Sequence, residues 1–161
     1  MPFTKHLKQH KGLKMTQVSN SAKVSTLIDA RGPRFGAVIT TVVLAAALAT
    51  NNVWFIVLQA LVFAIGAFKG PQYTPYAFLY KKAVKPFLKG EVPVEEVKPP
   101  QFAQKVGLLF ALVAIVGALL GIEALVIGAV SMALGAAFLN ATFNFCLGCE
   151  IYLLLLRARS K

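Results

Sequence analysis

The chain has 161 residues, 57% of them hydrophobic and only 14% charged, with a mean hydropathy of +0.68. Soluble domains carry roughly 45–50% apolar and about 25% charged residues, so this composition speaks against an ordinary soluble enzyme and against a disordered chain. Seventeen Lys/Arg face six Asp/Glu, a net charge of +11. In so apolar a chain that excess points to a membrane, and its placement along the sequence becomes the informative quantity.

Met1–Arg34 is polar and basic, with Lys5, Lys8, Lys11, Lys14, Lys23, Arg31 and Arg34. Residues 1–27 are assigned as a cytoplasmic arm, and residues 28–161 as the membrane domain. The arm lacks the short n-region, adjoining apolar core and small-residue cleavage site of a secretory signal.

Four apolar stretches follow, at residues 35–50, 53–68, 102–121 and 124–145. They predict an all-α integral membrane protein with four transmembrane helices. The first two are about sixteen residues each, roughly 24 Å of helix, and are lengthened at the interface by residues 28–34 and 69–72. Asn51-Asn52 forms the polar tip of their hairpin, and Gly121, Ile122 and Glu123 form the second turn. Glu123 is read as a helix-start residue that complements the N-terminal dipole. Gly117/Gly121, Ala124/Gly128 and Ser131/Gly135 are small-xxx-small pairs that allow close helix approach in lipid.

Between the second and third spans, Tyr76, Leu79, Tyr80, Ala83, Val84, Phe87 and Leu88 form an apolar stripe, with Lys81, Lys82, Lys85 and Lys89 facing away. An interfacial amphipathic helix over about 75–88 is predicted, with Tyr76, Tyr80, Lys81, Lys82 and Lys85 at the membrane interface and Pro86 weakening its last turn. Residues 91–100 read as a Pro-punctuated connector in which no helix persists.

Seven basic residues precede the first span, seven lie from the end of span two to Lys105 in the first turn of span three, and three are in the tail. The two opposite turns contain none. The positive-inside rule then places both termini and the long connector in the cytoplasm, as a multi-pass membrane protein. The positive charge faces anionic headgroups of the bilayer, and a nucleic-acid partner is discarded.

The one chemical motif is Cys146-Leu-Gly-Cys149. The apolar run from Ala124 to Leu156 is too long for one upright span. Either the fourth helix tilts and protrudes, or it breaks near Gly148 and a C-terminal interfacial helix runs over about 149–157. With a break, Cys149 opens the new helix and gains its N-terminal dipole; without one, Cys146 sits at a carbonyl-rich end. A CxxC can cycle between dithiol and disulfide, carry a persulfide, or supply half of a metal site. Reducing cytoplasm favours a reactive pair over a structural disulfide. Cys146 and Cys149 are also the candidate metal ligands. Zinc or an iron–sulfur cluster needs about four ligands, so further ones would come from a partner or a second copy. His6 and His10, at i and i+4, read as solvated. Asn140 and Asn144, one turn apart, read as interhelical hydrogen-bonding residues.

The segments Ile28-Asp-Ala-Arg-Gly-Pro-Arg-Phe, Gly70-Pro-Gln-Tyr-Thr-Pro-Tyr, Pro100-Gln-Phe-Ala-Gln and, above all, Ala137–Tyr152 with Phe145-Cys-Leu-Gly-Cys149 resemble the bacterial integral-membrane domain-of-unknown-function family 4395. The resemblance covers about Ile28–Arg157 and implies the bacterial cytoplasmic (inner) membrane as its location. The family has no settled activity. Its association with rhodanese-like sulfurtransferases and thioredoxin-like proteins implies thiol or sulfane-sulfur chemistry at Cys146 and Cys149, with such a protein as partner. The expected function is a membrane thiol/sulfur relay in which one cysteine attacks and the other resolves. The rival is a non-catalytic accessory or assembly subunit of a larger membrane complex, or of a homo-oligomer, held through the Gly/Ala seams.

Overall fold

The computed structural model describes residues 26–161. The basic arm up to residue 25, with His6 and His10, lies outside the described residues.

Two helical hairpins form the body. Helix α1 (Arg31–Thr50) turns into α2 (Val53–Phe68), and further along the chain α4 (Lys98–Leu120) turns into α5 (Glu123–Phe143). The first turn depends on its two asparagines. Asn51 adopts the left-handed conformation at φ 50°, which Asn tolerates better than most residues. The Asn52 carboxamide caps α2 by accepting the Trp54 N–H at 3.0 Å. In the second turn Gly121 is left-handed at φ 71°, and the Ile122 N–H reaches back to the Gly117 carbonyl at 2.8 Å. This is the glycine-closed helix end that the orphan carbonyls require.

The four helices form a ring in which α1 packs on α2 and α5, and α4 packs on the same two neighbours. Leu44, Ile56, Phe63 and Val130 fill the centre, and Ala47, Ala60, Ala111, Ala114, Ala129 and Ala133 let the helices close around them. Gly117 supports this approach, since a Cβ there would stand 3.1 Å from the Leu125 Cβ. Gly128 and Gly135 do not, because the space beside them is open. The large apolar side chains lie outside: Trp54, Phe68 and Leu119 are each more than 70% exposed. A molecule in water hides such groups, whereas lipid tails solvate them. Helices α1, α4 and α5 are long and apolar enough to cross a membrane, and α2 is a shorter apolar helix of 16 residues. These are the helices of a membrane protein. The described Lys and Arg residues avoid the two turns at Asn51–Asn52 and Gly121–Ile122.

The stretch joining the hairpins differs from the sequence expectation. Strand β1 (Leu27–Asp29) pairs antiparallel with β2 (Val94–Glu96), with Ile28 opposite Glu95. The expected helical extension before residue 35 therefore begins only at Arg31, and the connector over 91–100, in which no helix was expected, contains a strand and the first turn of a helix. Helix α4 starts at Lys98 rather than 102, because Pro99 and Pro100 occupy its first turn, where no N–H is needed.

The expected helix over 75–88 follows one coiled path but changes type. Helix α3 (Pro75–Leu79) is capped by Thr74, whose hydroxyl accepts the Ala77 N–H, and passes into a π turn at Tyr80–Val84 and a 3₁₀ turn at Lys85–Phe87. Pro86 cannot donate to the ladder, so regular α geometry ends before it.

Asp29 holds this end together. Its carboxylate accepts the Arg31 backbone N–H at 3.0 Å, the Arg31 Nε at 3.3 Å and the Tyr80 hydroxyl at 3.0 Å. Burial alone would raise its pKa, but these three donors and the guanidinium charge outweigh it and hold the carboxyl below its ordinary 3.8. A lowered folded-state value contributes stability above the unfolded pKa, lost as pH falls through the folded one. Glu95 has the opposite sign, since burial raises it and acid relieves that cost. Stability should therefore fall below about pH 4, and Asp29→Asn should remove that acid loss, as read from thermal unfolding in detergent between pH 6 and 3.

Candidate functional site

The cysteine pair occupies a break between two helices. Helix α5 ends at Phe143, Asn144 turns left-handed at φ 54°, and the N–H groups of Asn144 and Phe145 both close on the Leu139 carbonyl. Helix α6 (Leu147–Arg159) then begins, with Cys146 as its extended N-cap. Of the two sequence alternatives the helix breaks, at Asn144 and so four residues before Gly148. The consequence for the sulfurs is a reversal. It is Cys146 that caps the new helix, its Sγ accepting the Cys149 N–H at 3.3 Å, while Cys149 lies within the first turn. The positive end of the helix dipole is thus directed at Cys146.

Cys146 and Cys149 are joined as a disulfide with their Cα atoms 5.2 Å apart. Both are half-buried. Among the described residues no group of three or more His, Cys, Asp or Glu gathers to hold a metal.

Three contacts seat this loop on the bundle. Gly148 lies against Ala103 in the first turns of α4, where an added Cβ would stand 2.6 Å from both the Cα and the Cβ of Ala103. The Phe102 and Tyr152 rings pack at 5.6 Å. Arg34 at the start of α1 donates to the Ala141 carbonyl at 3.3 Å, where the last carbonyls of α5 need partners. The remainder of α6 is apolar and exposed at Ile151 and Leu153–Leu156, and ends in Arg157 and Arg159.

Asn140 and Asn144 do not form the expected interhelical bonds among the described residues. The side-chain bond in this last turn belongs to Thr142, which donates to the Phe138 carbonyl at 2.7 Å. Asn144 acts through its backbone, as the left-handed residue that ends α5.

The predicted interface residues divide by chemistry. Lys81, Lys82 and Lys85 are exposed, and the Lys82 ammonium lies 5.6 Å from the centre of the exposed Phe78 ring. The two tyrosines face the protein. Tyr80 is buried with its hydroxyl on Asp29, and burial together with that carboxylate raises its pKa. The Tyr76 hydroxyl donates to Gln59 Oε1 at 2.9 Å, and burial raises its pKa too. Gln59, fully buried in α2, donates in turn to the Thr40 hydroxyl at 3.0 Å. This chain of three polar groups was not expected, although the lone Gln in an apolar span was its one visible sign. Glu123 stands at the first position of α5 and lines a crevice of about 420 Å³ with Asn51, Ile56 and Gly117, at the bundle end away from the disulfide.

No curated protein and no solved structure matches the chain. The pattern of the family described as "Domain of unknown function (DUF4395)" matches residues 28–157, which include both helical hairpins and the Cys146–Cys149 loop, and the chain belongs to that family.

Proposed function

We propose that the protein is a four-span cytoplasmic-membrane thiol relay, with both termini and the disulfide on the cytoplasmic side. The observation that carries this reading is the Cys146–Cys149 disulfide at the start of α6, with Cys146 Sγ held by a helix-start N–H. In thiol–disulfide exchange the sulfur that leaves as the more stable thiolate leaves faster. A thiolate of a soluble dithiol protein attacks Cys149 Sγ, the S–S bond breaks, and its electron pair goes to Cys146. The partner's second thiolate then attacks its own sulfur in the mixed disulfide and releases Cys149, which takes a proton from water. The partner leaves oxidised and the membrane protein reduced. A persulfide donor can be met by the same two sulfurs, with a sulfane sulfur passing onto a thiolate.

In this topology α2 crosses with its 16 helical residues, since the expected extension over Lys69–Gln72 is replaced by a turn at Gly70 (φ 119°) into the 3₁₀ turn Pro71–Tyr73, and the Lys-bearing turn after α3 lies among anionic headgroups. The test is a pair of serine variants treated with a thioredoxin that keeps only its attacking cysteine, activated there as the mixed disulfide with thionitrobenzoate. Cys146→Ser should accumulate a mixed disulfide on Cys149, because the resolving thiol is gone, while Cys149→Ser should accumulate several-fold less. Equal trapping, or none, overturns the assignment. The open face of α5 at Gly128 and Gly135 favours a second reading, an accessory subunit docked through that face. It requires stoichiometric co-migration with a larger complex in mild detergent.

A further inference from the structure

A disulfide that oxidises soluble dithiols must be regenerated, and its surroundings indicate by what. We infer that the reduced Cys146/Cys149 pair is reoxidised by a lipid-dissolved quinone that reaches it along the end of α5. This rests on the relay reading and adds the electron acceptor to it.

The first observation is charge. From Ala124 to Cys149 the chain carries no ionisable side chain other than the two cysteines. Helix α5 itself is therefore uncharged for the length of a bilayer-spanning helix, and the charge that meets its end is the Arg34 guanidinium on the Ala141 carbonyl. A charged oxidant such as glutathione disulfide loses hydration along that helix, whereas an uncharged isoprenoid quinone is already dissolved in that phase. The second observation is that the aromatic side chains at the end of this path are exposed. Phe138, Phe143 and Phe145 are 49%, 70% and 44% exposed, all within eight residues before Cys146. Flat rings packing on a flat ring is the geometry such a head group favours. The third is hydrogen bonding. Asn140 and Asn144 bring carboxamide donors into the same turn and the break after it, without the interhelical bonds that would occupy them among the described residues. Quinone carbonyls accept from such donors, and a donor strengthens its bond as the carbonyl oxygen gains negative charge. The fourth is position. The helix ends three residues before Cys146, so the sulfurs stand where a head group comes to rest when its tail lies beside α5.

The reaction balances without another component. The two sulfurs give up two electrons as the S–S bond forms, and the quinone accepts them. The dithiol gives up two protons as the S–S bond forms, and the resulting quinol takes up two, directly or through water.

The experiment uses the full chain, reduced, desalted and held in phosphatidylethanolamine/phosphatidylglycerol nanodiscs under anaerobic conditions with decylubiquinone. The expected result is one quinol formed per disulfide gained, at least about tenfold faster than with glutathione disulfide at equal concentration. Asn140→Leu should slow quinone reduction by about tenfold, the loss of one hydrogen bond to a charged oxygen, while exchange with a thioredoxin-type dithiol stays unchanged. Dithiol exchange without quinol formation overturns the quinone inference and leaves the relay standing. Quinol formed equally by the wild type and by Cys146→Ser overturns it too. Failure of both reactions overturns the relay as well.

Discussion

Replacing Gly148 by alanine should detach α6 from the bundle while leaving the four-helix ring folded. In a helix the substitution alone gains about 1 kcal/mol in propensity. Here the new methyl would sit 2.6 Å from the Cα and Cβ of Ala103, and backbone cannot yield as a side-chain tip can. Overpacking of this kind costs about 1–3 kcal/mol, and with backbone on the other side the upper end applies, so the clash exceeds the propensity gain. The helix lifts, the Phe102–Tyr152 ring contact at 5.6 Å is lost, and the loop at residues 144–147 opens to protease and to thiol reagents. Limited proteolysis should show cleavage there at least several-fold faster. Gly128→Ala is the control, since nothing lies within 4 Å of its added methyl. That variant should be neutral or slightly more stable.

Gln59→Leu should destabilise the bundle by about 2–3 kcal/mol, because it leaves two partners rather than one without a bond. Gln59 joins Thr40 on α1 to Tyr76 on α3 from inside the apolar core. The two survivors differ in what they can do next. A Thr hydroxyl in a helix can turn to the carbonyl four residues back, as Thr41 does to Ala37 at 2.8 Å. The Tyr76 hydroxyl has no such local recourse, so most of the cost falls on it. Adding Tyr76→Phe should recover about half of the loss, and a double-mutant cycle read from thermal unfolding in detergent measures the coupling. If the two single costs add without recovery, the hydrogen-bonded chain is not what ties α3 to the first hairpin.

The body of the fold was legible because lipid-facing and core-facing surfaces are both apolar, so the spans stand out as uninterrupted runs. Their turns were legible because Asn51, Asn52 and Gly121 are residues that left-handed and capping positions require. The strand pair was not. Three residues such as Leu27–Asp29 and Val94–Glu96 carry too little alternation, and their pairing depends on two segments some 65 residues apart. The inward turn of Tyr76 and Tyr80 was hidden for a related reason. Periodicity puts a Tyr on the apolar side of a helix without saying whether its hydroxyl meets water or a buried Asp29 or Gln59. At the cysteines the motif itself was plain, but which sulfur meets the helix start depends on where the chain breaks. Asn144 decides that by turning left-handed two residues before Cys146. Asparagine's tolerance of that conformation was the available sign.

The relay is tested most directly by the redox equilibrium of the pair in membranes. The full chain is incubated with graded ratios of reduced to oxidised dithiothreitol, quenched with acid, and labelled with a maleimide large enough to shift its mobility. An exchange-active pair passes reversibly between zero and two labelled thiols, and reaches the same midpoint from either direction within minutes. Cysteines that stay unlabelled at every ratio until the protein is unfolded, or a disulfide that cannot be reduced without unfolding, would contradict a relay and leave the pair a structural clasp.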